Sequence, residues 1–72
     1  MSDSVRAYVN GVAVDVPPGA VAVDAVRAAD PRLAAELEHG DWVITDSRGL
    51  PTGVDTPVHG GAIFRLIPAR RP

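Results

Sequence analysis

The tightest constraint on this chain is a pair of valine-alternating segments placed on either side of Asn10-Gly11. Val5, Ala7 and Val9 alternate with Arg6, Tyr8 and Asn10, and Val12, Val14 and Val16 alternate with Ala13 and Asp15. A period of two is the signature of a strand with one face buried. Asn-Gly between two such runs is a strong hairpin signal, because both residues tolerate the positive φ of a type I′ turn. The chain therefore opens with an antiparallel hairpin, and Pro17-Pro18-Gly19 stops it, since proline cannot donate to a ladder.

After the hairpin the period changes. Ala22, Ala25, Val26 and Ala29 fall three and four apart, which predicts a helix over Ala20 to Ala29 with one small-residue face. Alanine on that face lets the helix lie close to a valine-rich sheet. Asp30-Pro31 reads as an N-cap followed by proline at the first helical position, so a short second helix should begin there and end near His39-Gly40. Trp42 to Thr45 reads as a third strand. Asp46 to Gly49 has turn chemistry, and Leu50-Pro51 can be only a short edge segment. Thr52 to Val58 reads as turn and loop. Gly60-Gly61 then releases the chain into a final apolar strand, Ala62 to Ile67, closed by Pro68.

One principal helix following a hairpin should cover one face of a mixed sheet, an α+β layer arrangement. A strongly apolar last strand fits best beside the first and parallel to it. The expectation is a single domain over residues 1–72 with the ubiquitin-like β-grasp architecture. That means a mixed sheet of four to five strands packed on one main helix plus a short second helix, with 1–4 and 69–72 flexible. Seventy-two residues suffice for one such domain and not for two. Trp42 reads as core more readily than as interface, but the sheet face it occupies is left open.

Val9-Asn10-Gly11, followed by Val16-Pro17-Pro18-Gly19-Ala20-Val21-Ala22-Val23-Asp24-Ala25-Val26, resembles the opening of the small bacterial sulfur-carrier proteins. Those are the ubiquitin-like β-grasp carriers of thiamine and molybdopterin biosynthesis. The turn at His59-Gly60-Gly61, the strand from Ile63 and Ile67-Pro68 extend the likeness over nearly the whole chain. Carriers of that family end in Gly-Gly, whose carboxylate is adenylated and converted to a thiocarboxylate. Here the tail Arg70-Arg71-Pro72 stands at that place, and proline is too rigid and bulky for a channel that passes glycines. Gly60-Gly61 cannot replace it, because cutting there removes the last strand. The resemblance thus implies the fold and a bacterial, cytoplasmic setting without the family's chemistry. A divergent carrier activated at its C-terminus is the alternative.

Residue chemistry agrees with a chain that is not an enzyme. There is no cysteine, which excludes disulfides, thiolate metal sites and cysteine nucleophiles. His39 and His59 each neighbour glycine in loops and would need carboxylate partners to bind a metal, so neither metal nor cofactor is expected. Glu36 and Glu38 point to different sides of a helix, the serines lack an elbow context, and no phosphate-binding glycine motif is present. The formal charge is −2 and every basic residue is arginine. No general field draws the protein to nucleic acid or lipid, and no apolar run approaches transmembrane length. RNA contact through Arg70 and Arg71 is a third, weaker alternative.

The functional lead is the sheet surface turned away from the helix. If Ala62, Phe64 and Leu66 point inward, Arg65 escapes burial. Arg6, Tyr8, Ile63, Arg65 and Ile67 then share the outer face. Isoleucine, tyrosine and arginine together have the composition of a protein contact. Ubiquitin-like proteins use this same surface, so the resemblance points the same way. The expected function is a non-covalent, non-catalytic interaction module, itself a monomer, whose partner is another protein.

Overall fold

A computed structural model of the chain describes residues 3–69. The first hairpin consists of β1 (Val5–Val9) and β2 (Val12–Val16), paired antiparallel from Val5↔Val16 to Val9↔Val12. Asn10 and Gly11 both take positive φ, 51° and 83°, as a type I′ turn demands. Two helices follow, α1 (Ala22–Ala29) and α2 (Pro31–Glu38), then β3 (Trp42–Thr45) and β4 (Ala62–Pro68). The sheet order is β2-β1-β4-β3. β4 lies parallel to β1 through Ala7↔Ala62, Tyr8↔Ile63 and Val9↔Phe64, and antiparallel to β3. The result is a small α+β protein with a mixed sheet and two helices on one side.

The described residues hold four strands rather than four to five. Leu50-Pro51, a candidate edge strand, makes only an isolated bridge from Pro51 to Thr45, because proline has no N–H with which to continue a ladder. Nor is there a main helix and a lesser one: each has eight residues. α1 begins at Ala22 and not at Ala20, since Val21 is extended and bridges to Pro57. The first helical N–H groups need partners. Ala22 donates to the Thr56 carbonyl at 2.8 Å and Val23 to that of Val54 at 3.0 Å. The Asp24 carboxylate accepts from the Val21 N–H at 3.0 Å. The segment around residues 54–58, a loop by its sequence, is therefore the N-terminal cap of α1.

α2 starts as its sequence predicts. Asp30 Oδ1 accepts from the N–H groups of Arg32 and Leu33, with Pro31 at the first helical position. Gly40, at φ +92°, follows the helix where a left-handed residue is needed to turn the chain.

The core lies between the sheet and α1. Ala7, Val9, Val14, Val16, Ile44, Phe64 and Leu66 reach it from the strands, and Ala22, Ala25 and Val26 from α1, all buried. Ala34 and Leu37 of α2 and Val58 complete it. Ala22 and Ala25 are fully enclosed, which is what brings the helix close to the valines beneath it. Val12 shares the inward register of its strand but sits at the sheet corner and is 55% exposed. Trp42 is on the helix side, two residues before buried Ile44, and its indole N–H donates to Glu36 Oε1 at 3.0 Å.

Ala69, read from the sequence as the start of a flexible tail, is fastened by its N–H to the Asp41 carbonyl at 3.0 Å. β4 runs past Ile67 to include Pro68, which lies opposite Trp42 where no N–H from proline is required. Asp3 and Ser4 are exposed coil ahead of β1. Met1, Ser2 and the tail residues Arg70, Arg71 and Pro72 lie outside the described residues.

Candidate functional site

Both helices pack on one side of the sheet, so the other side is bare. Alternation from the buried residues fixes what it displays. Arg6 and Tyr8 come from β1, Ala13 and Asp15 from β2, Val43 from β3, and Ile63, Arg65 and Ile67 from β4; Thr45 shares that register but is buried, 4% exposed. The five residues singled out in the sequence, Arg6, Tyr8, Ile63, Arg65 and Ile67, stand on this one surface. Tyr8 is directly opposite Ile63 across the parallel pair. Ile63 is 41% and Ile67 49% exposed.

The charges on this face differ in their circumstances. Arg6 meets Asp15 across the hairpin at two points, Nε to Oδ1 at 3.1 Å and Nη2 to Oδ2 at 3.4 Å. That hydrogen bond, with the Asp15 charge and the Tyr8 ring hydroxyl behind it, raises the arginine pKa above its ordinary value. An exposed pair of this kind adds little stability but fixes both side chains. Arg65 has no acidic partner among the described residues. Its cross-strand neighbour, Thr45, is committed elsewhere, its hydroxyl donating to the Arg65 carbonyl at 3.0 Å.

Two contributors went unnoticed in the sequence. Val43, opposite Ile67, extends the apolar part of the face onto β3 and is half-buried. Its position follows from Ile44 being core, so the alternation Trp42-Val43-Ile44 carried the signal. Asn10 reads in the sequence as a turn residue and as the outward-pointing end of the first alternation, not as a fastener. Its N–H donates to the Phe64 carbonyl at 3.0 Å, and its Oδ1 accepts from the Leu66 N–H at 3.0 Å. One side chain thereby locks the hairpin to β4 beside Arg65, a long-range contact that no local pattern announces.

The other candidates do not converge. His39 follows α2, while His59 lines a shallow cleft of about 290 Å³ together with Asp46, Thr52, Thr56 and Ile63. Several polar groups there are already engaged: the two threonine hydroxyls are 2.8 Å apart, and Asp46 Oδ1 accepts from the N–H groups of Arg48 and Leu50. These bonds, that of Leu50 foremost, hold the Asp46 pKa below its ordinary value. Glu36 is engaged by Trp42 and Glu38 by Arg27. Among the described residues no three histidine or carboxylate side chains are placed to hold a metal ion, and no helix is long and apolar enough to cross a membrane.

No protein-family model, curated protein or solved structure matches this chain.

Proposed function

We propose that the chain is a ubiquitin-like β-grasp module, laid out like the small sulfur carriers, that works by binding another protein through the bare sheet face. The β-grasp reading is supported by the parallel β1–β4 pair at the centre of the sheet, the hairpin at one side of it and the helices on one face. The binding reading is supported above all by one juxtaposition. Exposed Ile63 and Ile67 form an apolar strip with half-buried Tyr8, and Arg65 stands within it without a counter-charge among the described residues. A partner that covers the two isoleucines gains about 25 cal/mol for each Å² of apolar surface removed from water. Tyrosine and arginine are the residue types that most often anchor such contacts. The module needs no chemistry of its own to act in this way.

The test is capture of a partner from extract of the native host by immobilised wild-type protein and by the double variant Tyr8→Ala/Arg65→Glu. Circular dichroism checks that both are folded. The partner should be retained by the wild type and lost from the variant. Equal retention by a folded variant defeats the reading. Intact mass of the captured protein after incubation with ATP separates this outcome from the carrier alternative, which demands a covalent change.

A further inference from the structure

Asn10 carries the only side-chain amide in the chain, which has no other asparagine and no glutamine. Gly11 follows it, and the pair is exposed at the tip of the first hairpin. Asparagine is a thermolabile residue, and the cause is intramolecular. The nitrogen of the next residue attacks the side-chain carbonyl carbon, and glycine, with no Cβ, obstructs that attack least.

The structure opens one half of this reaction and restrains the other. At Gly11 the space where a Cβ would stand has nothing within 4 Å. Among the described residues the Gly11 N–H makes no backbone hydrogen bond. Asn10, by contrast, is tied twice to β4. Its Oδ1 accepts from the Leu66 N–H at 3.0 Å, and its own N–H donates to the Phe64 carbonyl at 3.0 Å. To meet the Gly11 nitrogen, the Asn10 carboxamide must first release Leu66. Water reaches this exposed turn in either case. The tether, and not burial, withholds the reaction.

We propose that Asn10 is a self-modification site whose deamidation records opening of the seam between the hairpin and β4. Once the Leu66 bond is broken, the Gly11 nitrogen gives its proton to hydroxide and bonds to Cγ of Asn10. The Cγ–Nδ2 bond breaks, ammonia leaves and a succinimide ring remains. Water then opens the ring at either carbonyl. Cleavage of the new Cγ–N bond gives aspartate, which keeps an acceptor for Leu66. Cleavage at the α-carbonyl gives isoaspartate, in which the main chain runs through the former side chain. That product adds a methylene to the backbone of a two-residue turn and shortens the acceptor arm. Val9 then no longer closes on Val12 in register, and Leu66 loses its partner. A chain that has opened is thereby marked and held open. Water is the one co-reactant, and the site does not depend on the bare sheet face.

The test compares deamidation of the folded protein with that of the same chain unfolded in guanidinium chloride, in mildly alkaline buffer of matched ionic strength. Intact mass reads the exchange of amide for carboxylate, which can come only from Asn10. Peptide mapping separates aspartate from isoaspartate. The folded chain should deamidate at least about tenfold more slowly, the worth of one hydrogen bond. Below the unfolding midpoint, denaturant should raise deamidation in proportion to solvent exchange of the Leu66 amide, because one opening governs both. After denaturant is removed, the isoaspartyl chain should not regain protection at Leu66, whereas the unmodified and aspartyl chains should. Equal rates in the two states, or no reaction in the unfolded chain, overturn the proposal. So does deamidation that ignores Leu66 exchange, or an isoaspartyl chain that recovers Leu66 protection.

Discussion

On the helix side of the sheet, Ala7, Val9, Phe64 and Leu66 are almost wholly enclosed, while on the other side Ile63 and Ile67, from the same strand as Phe64, keep 41% and 49% of their surface in water. The two sets are one residue apart in sequence. The inner set meets a helix whose buried residues, Ala22, Ala25 and Val26, are small, so that the layers lie close together. No helix covers the outer set. Its apolar residues are as large as those inside, yet they are interleaved with Arg6 and Arg65 rather than with alanine. One face has been fitted to the chain's own helix, and the other has the makings of a contact still to be completed. Whether the second face is a binding surface or a tolerated exposure is what the following predictions separate.

The largest effect is expected inside. Phe64→Ala should cost about 3–5 kcal/mol, since removing a buried phenylalanine leaves a cavity in the core. In a domain this small that is most of the stability, and urea denaturation should show a collapse of the midpoint. A loss below about 1 kcal/mol would mean that the two faces differ less in packing than their burial implies.

Next comes the seam between hairpin and β4. Asn10→Ala loses the acceptor for the Leu66 N–H and puts a Cβ-bearing residue of poor left-handed tolerance at φ 51°. Together these should cost about 1–3 kcal/mol by chemical denaturation. Asn10→Gly should recover the part due to backbone geometry and not the part due to the hydrogen bond.

On the outer face the expected effect on folding is small. Ile63→Ser with Ile67→Ser should change stability by no more than about 0.5 kcal/mol per site, while reducing partner capture severely. A large loss of stability without loss of capture would assign the isoleucines to the fold. Smallest of all is the pH effect at Asp46. Its folded-state pKa is depressed, so its contribution is fully present above the ordinary value of 3.8 and is lost as pH falls through the lower folded value. The Leu50 amide resonance, which reports that hydrogen bond, should therefore titrate with a midpoint below 3.8.

Much of the inner face could be read from the sequence, because valine alternation, Asn10-Gly11 and the alanine spacing of α1 are local patterns with a single physical meaning. The outer set followed by elimination once burying Arg65 was refused. What was not legible is what depends on segments remote in sequence. Thr56 and Val54 cap α1 from thirty residues away, Asn10 fastens to Leu66, and Ala69 is held by Asp41. Backbone carbonyls carry no sequence signal for whom they will accept from. The start of α1 was misplaced for that reason: its N-terminus is set by the loop that caps it and not by its own first residues. The equal length of the helices has the same origin, since the expected α2 already had its observed extent and α1 lost two residues at its start. Val43, a further apolar residue of that face, was placed opposite Ile67 only by the register of β3 against β4.

The most direct test of the account is site-specific photo-cross-linking in native cells. A photoreactive residue replaces Ile63 on the bare face in one version of the protein and Arg32, on the exposed side of α2, in another. The account predicts a discrete adduct to one protein from position 63, abolished by Arg65→Glu, and none from position 32. An adduct from position 32 alone, or one from position 63 that Arg65→Glu leaves intact, would contradict it.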